Sequence, residues 1–127
     1  MRRLVEYAKW RLREYVAVAV FADLPSTPRR DKPQRVGGFV PDVYASDVPT
    51  TFRLIGEAKT IEDLETPHTI LQLSAFFRHV TVCGGALAVA VPWAAIGTAR
   101  RVVHDVAAAE GCGAVEYTII DEISPWH

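Results

Sequence analysis

Two strand-like segments separated by a helical pattern constrain the fold of this chain most strongly. Residues 86–91 are wholly apolar, and residues 115–120 are rich in β-branched and aromatic side chains, which is typical of buried strands. Residues 93–110 lie between Pro92 and Gly111, which are the usual residues at the start and the end of a helix. This strand–helix–strand order predicts parallel neighbours in an α/β sheet.

The first half of the chain predicts a helix followed by three strands. Residues 2–14 repeat apolar side chains at spacings of three and four, which indicates an amphipathic helix. Residues 15–22 are apolar on both faces, so we expect a strand in the middle of the sheet. Residues 39–45 and 52–59 flank a polar, proline-containing turn at 46–51 and predict an antiparallel hairpin.

A second helix is predicted between the hairpin and the later strands. Thr60 can cap a short helix, and Thr66-Pro67 restarts it before Gly84-Gly85 ends it. The predicted order over residues 1–127 is α-β-β-β-α-β-α-β, which indicates one α/β domain with a mixed sheet flanked by helices. The predicted buried stripe of the second helix consists of Ile70, Leu73, Phe76, Phe77 and Val80.

The charge distribution points to one basic region. The formal net charge is −1, but residues 1–35 hold nine of the fourteen Lys and Arg and only four of the fifteen Asp and Glu. Residues 23–35 contain three prolines and predict an exposed loop. Because this loop runs towards the predicted hairpin, its cations are candidate phosphate contacts. They are Arg29, Arg30, Lys32 and Arg35.

Cysteine usage and hydropathy bear on the compartment. Cys83 and Cys112 lack the spacing of a metal site, so we expect free thiols in a reducing cytoplasm. Residues 16–22 resemble a signal segment only weakly, because the charged stretch before them is patterned as a helix. No apolar run approaches the roughly 18 to 20 residues of a membrane span, so we expect no membrane association.

Three charged side chains in the predicted hairpin form the candidate centre. Glu57 and Lys59 are two residues apart on one strand and therefore face the same side of the sheet, while Ala58 faces the other side. With the turn near 46–51, Asp42 in the second strand falls opposite position 57. Two close carboxylates repel each other and raise the pKa of at least one, unless a cation neutralises them.

A divalent cation would account for this trio. Mg²⁺ takes oxygen ligands and keeps several waters, so Asp42, Glu57 and the backbone carbonyl of Ala58 would leave positions for phosphate and for an attacking water. Lys59 could orient and help deprotonate that water, or it could stabilise negative charge on the phosphate. The alternative is a hairpin with a solvated Glu/Lys face and an unrelated Asp at a proline turn.

The motif and its placement resemble a known group of enzymes. Pro41-Asp42, then Glu57-Ala58-Lys59 after a fourteen-residue gap, within the order α-β-β-β-α-β, is similar to the PD-(D/E)xK nuclease superfamily. That group includes restriction endonucleases, Holliday-junction resolvases and VRR-type nucleases. The resemblance implies a restriction-endonuclease-like fold, with Asp42 and Glu57 as metal ligands and Lys59 handling the nucleophile.

The resemblance also extends to the second helix. Some members of the superfamily place a glutamine there, aimed at the metal, and Gln72 stands at a comparable position. His68 and His79 lie near Gln72 on a helical wheel, at the margin of the apolar stripe. For both histidines a surface or half-buried structural role is the favoured interpretation.

These observations predict a Mg²⁺-dependent DNA endonuclease with Asp42, Glu57, Lys59 and Gln72 at its centre, in which Mn²⁺ can substitute. We expect structure-selective or loosely specific cutting, because so short a chain has no spare domain for base readout. A homodimer is expected, since cutting both strands needs two sites. One alternative is a nuclease fold that binds nucleic acid or protein without catalysis, and another is an unrelated α/β domain with Asp42 and Glu57 far apart.

Overall fold

The computed structural model describes residues 2–122, which form an α/β fold with one mixed five-stranded sheet and three α-helices. The predicted α/β domain with a mixed sheet and flanking helices is therefore confirmed at this level. In chain order the elements are α1 (Arg2–Arg11), β1 (Val18–Ala22), β2 (Val43–Asp47), β3 (Arg53–Ala58), α2 (Pro67–Cys83), β4 (Gly85–Val91), α3 (Ile96–Ala109) and β5 (Glu116–Asp121).

The strands follow one another across the sheet in sequence order, β1-β2-β3-β4-β5. β1, β2 and β3 pair antiparallel, whereas β4 lies parallel to β3 and β5 lies parallel to β4. The two parallel steps are those in which a helix joins the strands, because a helical crossover returns the chain to the starting end of the sheet.

The prediction that the first strand lies in the middle of the sheet is wrong. β1 is an edge strand that begins at Val18, and residues 15–17 lie outside it. Its apolar side chains are half-buried, and Val20 and Ala22 pack against the core beside α1. An apolar strand sequence indicates that both faces of the strand are covered by other elements, but it does not indicate how many strands lie beside it.

The sheet separates two apolar layers. On one face α1 supplies Leu4, Ala8 and Leu12. Gly56 lies on this face, and a Cβ there would come within 3.1 Å of the Leu4 side chain. Glycine thus lets α1 approach the strand that carries Glu57. On the other face α2 and α3 supply the larger cluster, which includes Leu73, Phe76, Phe77, Val80, Val102 and Val103.

Several predicted boundaries shift, and two of the shifts matter for the site. Asp42 lies directly before β2 instead of within it, and Lys59 lies directly after β3. The predicted short helix after Thr60 is a series of turns, and α2 begins at Pro67 with Thr66 as its N-cap. The first helix ends at Arg11, and a 3₁₀ turn, Trp93–Ala95, precedes α3.

Across residues 2–122, no helix combines the length and the apolar character that a membrane crossing requires.

Candidate active site at the open end of the β2–β3 hairpin

Asp42 and Glu57 meet where the β2–β3 pairing ends. Val43 pairs with Gly56, so the same antiparallel register continued by one residue brings Asp42 opposite Glu57. The backbone N–H of Asp42 donates a hydrogen bond of 3.0 Å to Glu57 Oε1. The Asp42 carboxylate in turn accepts a 2.8 Å bond at Oδ2 from the Ala58 N–H. Each carboxylate is therefore held by the backbone of the opposite segment.

The backbone also fixes Asp42 from the side of β1. The carbonyl of Asp42 accepts a 2.8 Å hydrogen bond from the Asp23 N–H, just beyond the end of β1. Three chain segments thus converge on Asp42, although it stands outside the regular strand. The bond from Asp23 continues the β1–β2 register by one residue and fixes the backbone that carries the carboxylate.

Lys59 joins the pair from the same face of the sheet. Its ammonium Nζ lies 3.4 Å from Glu57 Oε2, and its side chain is 10% exposed. Its backbone N–H donates to the carbonyl of Ala90 on β4, so the parallel pairing extends one residue past β3 and fixes Lys59. Ala58 packs towards the α1 layer, as the alternation of a strand requires.

Burial makes Glu57 an unusual acid. Its side chain is nearly inaccessible, and loss of hydration together with the adjacent Asp42 charge raises its pKa to about 8. Lys59 and the Asp42 N–H oppose the shift but do not overcome it. At neutral pH Glu57 therefore keeps its proton unless a further positive charge enters the site.

Pro41 leaves the carbonyl oxygen of Ala58 without a backbone donor at the same site. The Asp47 N–H donates to the Phe52 carbonyl, so residues 47 and 52 form a hydrogen-bonded pair of the antiparallel ladder. Such pairs recur at every second position, and in this register Ala58 stands opposite residue 41 at one of them. Proline has no N–H, so that position offers the Ala58 carbonyl no backbone donor. The ladder ends here and leaves an oxygen beside the two carboxylates.

Gln72 lies on the α2 strip that faces β2. Two histidines on the same side of α2 show what this strip contacts. The ring of His68 meets Phe39 edge-on, and His79 forms a 3.1 Å hydrogen bond with the Tyr44 hydroxyl. Gln72 is 6% exposed, and its Oε1 is buried without a hydrogen-bond partner. No hydrogen bond among residues 2–122 joins it to Asp42, Glu57 or Lys59. An orphaned buried acceptor is costly and indicates a missing partner.

The basic loop is partly tied down. Arg29 and Arg30 lie in a short 3₁₀ turn and are exposed, and Arg35 donates to the Gly38 carbonyl at 3.1 Å. Lys32 is half-buried and pairs at 2.8 Å with Asp23, the residue whose N–H fixes the Asp42 carbonyl. The loop therefore approaches the site through Lys32, while the three arginines face solvent.

The cations of α1 belong to the opposite face of the sheet. Arg11 forms a two-bond ion pair with Glu116 on β5, and Arg13 stacks on Trp10. Glu6 pairs with Arg2 on the exposed side of α1. The structure does not bring these side chains to Asp42 and Glu57, because α1 packs behind the sheet.

Two side chains beside the site were not singled out from the sequence. Tyr44 and Arg53 lie on the same face as Asp42 and Glu57, at even offsets along β2 and β3. Strand alternation was the available signal, because residues separated by an even number share a face. The hydrogen bond from Tyr44 to His79 of α2 could not be read from that pattern.

Comparisons with protein-family models, with curated proteins and with solved structures found no match to this chain. Within the described residues, no group of three or more His, Cys, Asp and Glu side chains is arranged to hold a metal. Any ion at the site would therefore be held by two carboxylates, backbone oxygen and water.

That donor set fits a hard cation. All of its atoms are oxygens, which Mg²⁺ prefers, and two carboxylates are a usual number for an ion that keeps much of its hydration. Burial and the adjacent Asp42 charge raise the pKa of Glu57, and a cation bound there would favour its ionised form. On α2, Gln72 Oε1 is a further buried acceptor without a partner.

Proposed function

We propose that this protein is a Mg²⁺-dependent nuclease that hydrolyses phosphodiester bonds in DNA, with the restriction-endonuclease-like fold of the PD-(D/E)xK superfamily. The observation that carries the proposal is the mutual bonding of Asp42 and Glu57 beside Lys59. A buried carboxylate beside a second, half-buried one is costly in a protein, because one of them must then hold a proton or a cation. The element order α-β-β-β-α-β-α-β supports the proposed fold family.

The chain's own residues suggest a division of labour. Asp42, Glu57 and the Ala58 carbonyl would hold the ion, which when bound supplies an acidified water and a Lewis acid for the phosphate. Lys59 is held at Glu57 by its 3.4 Å contact and places an ammonium where negative charge develops on the phosphate. Glu57 would be ionised when it holds the ion, and Gln72 is a candidate to orient the water shell.

DNA is the proposed substrate because cations approach the site from the side of the 23–35 loop. Arg29, Arg30 and Arg35 face solvent, where they can follow a phosphate backbone without reading bases. We propose cutting that depends on DNA structure or is loosely specific, for the same reason. A homodimer would supply two sites for two strands, and sedimentation of the free and DNA-bound protein tests it.

A cleavage panel tests the activity. Branched and linear DNAs with Mg²⁺ should be cut by the wild type but not by Asp42→Asn, Glu57→Gln or Lys59→Met. Glu62→Gln is the matched control, because Glu62 is an exposed acid just after the hairpin. Circular dichroism checks that each variant is folded. Full activity in any one of the three site variants would refute the proposal.

Calorimetry tests the metal separately. Mg²⁺ or Mn²⁺ should bind with release of a proton near neutral pH, because the ion displaces the proton held by Glu57. Titrations in buffers of different ionisation enthalpy measure that proton. Glu57→Gln should lose the release, whereas Glu62→Gln should retain it.

A second candidate is the same fold acting as a binding module without catalysis. The overall charge of −1 and the lack of a third acidic ligand among the described residues favour it. It predicts no ion bound at Asp42 and Glu57, together with DNA or protein binding that persists in Asp42→Asn. The calorimetric titration therefore separates the two candidates.

A further inference from the structure

A second polar groove lies on the site's face of the sheet, towards the other end of β2 and β3. Its volume is about 500 Å³. We refer to it as the Tyr44 groove. Its floor is Tyr44 and Ser46 of β2 with Phe21 of β1, and its walls include Lys32 and Gln34 of the loop and Arg53, His79 and Cys83.

The charge of the Tyr44 groove is one-sided. Its lining includes Lys32, Arg53 and the imidazole of His79 but no carboxylate. Within residues 2–122, the one acid that forms an ion pair with this set is Asp23, which pairs with Lys32 at 2.8 Å from outside the lining. Burial and, after it, the Arg53 charge lower the pKa of His79, and the Arg53 charge opposes the rise that burial produces in the pKa of Tyr44. The groove is therefore a positive environment lined with hydroxyl groups.

The donors of the groove point to an oxyanion. Arg53 gives one N–H to the carbonyl of Cys83, and a guanidinium has five such donors in a rigid fork that matches a phosphate. The Tyr44 hydroxyl and His79 Nε2 are joined at 3.1 Å, so the imidazole can accept from the hydroxyl or donate to it. Ser46 adds a buried hydroxyl at the floor.

The distance to the candidate active site suits a polymer. Tyr44 follows Asp42 by two residues, which is about 7 Å along a strand, and Arg53 precedes Glu57 by four, which is roughly 13 Å. These spans correspond to one or two steps between phosphates of an extended single strand. A strand that has one phosphate at Glu57 and runs along β2 would place a neighbouring phosphate near Tyr44 or Arg53.

We propose that the Tyr44 groove is a second phosphate subsite, in which Arg53, Lys32 and His79 bind a backbone phosphate one or two nucleotides from the bond at Asp42 and Glu57. The inference rests on the proposed nuclease function for the identity of its ligand. It adds that the strand being cut is held at a second phosphate beside the bond that is broken.

The first test is binding without catalysis. Affinity of a fluorescent single-stranded DNA is measured in EDTA over a series of salt concentrations. Arg53→Gln should weaken binding several-fold and reduce the slope of log affinity against log salt by about 0.7, as expected for one lost phosphate contact on a single strand. Arg100→Gln removes the same charge from an exposed position on α3 and should leave the slope unchanged. Equal effects of the two variants would overturn the subsite.

Lys32→Gln guards against a folding defect in Arg53→Gln. Lys32 belongs to the loop and not to the sheet, so its loss should leave the thermal midpoint close to the wild type while lowering DNA affinity. An unchanged affinity in a folded Lys32→Gln protein would contradict the proposal.

Inorganic phosphate is the second probe. In nuclear magnetic resonance titrations it should shift the ring signals of His79 saturably, leave His104 of α3 unmoved, and lose its effect in Arg53→Gln. No shift, or equal shifts of both histidines, would overturn the subsite. Inorganic phosphate or a mononucleotide binding as tightly as the DNA would overturn the idea of a polymer ligand.

These outcomes are separable from those of the nuclease proposal. Cleavage that is insensitive to Arg53→Gln leaves the nuclease standing and removes the subsite. Phosphate binding that depends on Arg53 in a protein that cuts nothing supports the groove and refutes catalysis.

Discussion

β2 has an aspartate at each end, and the two are bonded in opposite ways. Asp47 accepts hydrogen bonds from the Thr51 and Phe52 N–H groups at 2.8 and 2.7 Å and from the Thr51 hydroxyl, and these bonds lower its pKa. Asp42 accepts one backbone bond and lies beside Glu57, whose pKa rises to about 8. Asp47 therefore stabilises a turn, whereas Asp42 adds negative charge beside Glu57 that a cation would compensate.

The contrast separates structure from chemistry within one hairpin. At Asp47 the backbone supplies as many donors as a carboxylate needs, so nothing further has to bind. At Asp42 and Glu57 two carboxylates share two backbone donors and one ammonium, which leaves them short of compensation. Buried charge alone does not indicate a functional site, but buried charge without enough partners does.

The largest expected effect is on activity. Asp42→Asn or Glu57→Gln should reduce cleavage by about 10³-fold or more, because a divalent ion supplies several kcal/mol of transition-state stabilisation. Asp47→Asn should keep the rate per folded molecule within a few-fold of the wild type. Single-turnover cleavage at a saturating Mg²⁺ concentration measures both. A comparable loss in Asp47→Asn would erase the distinction between the two ends.

The pH dependence of stability should have opposite signs at the two ends. The folded pKa of Glu57 lies above its ordinary 4.5, so its stabilising effect is complete below pH 4.5 and is lost up to about pH 8. Its share of the slope approaches about −1.4 kcal/mol per pH unit. Asp47, with a lowered pKa, loses its stabilising effect only as the pH falls below 3.8.

Urea unfolding in EDTA across this pH range measures the Glu57 effect as the difference between the wild type and Glu57→Gln. Saturating Mg²⁺ should flatten the slope of the wild type, because the bound ion replaces the proton. A slope that is the same in Glu57→Gln would show that another group is responsible.

Loss of the turn should be felt in stability and not in metal binding. Asp47→Ala leaves the Thr51 and Phe52 N–H groups without their acceptor, so the thermal midpoint should fall by several degrees. Asp105→Ala, at an exposed position on α3, is the control and should change little. Mg²⁺ affinity of the folded Asp47→Ala protein should match the wild type, and a large fall would contradict a purely structural role.

The smallest expected effect concerns Gln72. Gln72→Leu removes the orphaned Oε1 and should stabilise the metal-free protein by about 1 kcal/mol, since an unsatisfied buried acceptor is costly. It should also weaken Mg²⁺ binding about tenfold, as loss of a group that orients the ion's surroundings does. Unfolding in EDTA and calorimetry measure the two effects. Destabilisation with unchanged metal affinity would make Gln72 a packing residue.

The candidate centre could be predicted from local rules. Strand alternation puts Glu57 and Lys59 on one face, and a short hairpin turn fixes Asp42 opposite Glu57. Both rules act within a few residues, so neither depends on how helices pack. The same locality explains why the second helix and its buried stripe, except Ile70, were also predicted correctly.

The rest depended on long-range arrangement. The edge position of β1 follows from which strands find partners, and that information is absent from residues 15–22 themselves. The Tyr44 groove forms because α2 brings His79 over β2. The α1 cations lie away from Asp42 and Glu57 because α1 packs on the other face of the sheet. The strand predicted over 39–45 begins four residues later, at Val43, and the strand predicted over 52–59 ends one residue earlier, at Ala58. These shifts reflect hydrogen bonding at strand ends, which side-chain patterns do not record.

A single residue, Pro41, distinguishes a hairpin that is fully paired at this end from one that leaves an oxygen for an ion. Any other residue at this position would supply an N–H for the Ala58 carbonyl and could extend the β2–β3 ladder by one hydrogen-bonded pair. Proline therefore withholds one backbone donor from the Ala58 carbonyl, and in the proposed function that oxygen would be available to a cation at the end of the hairpin.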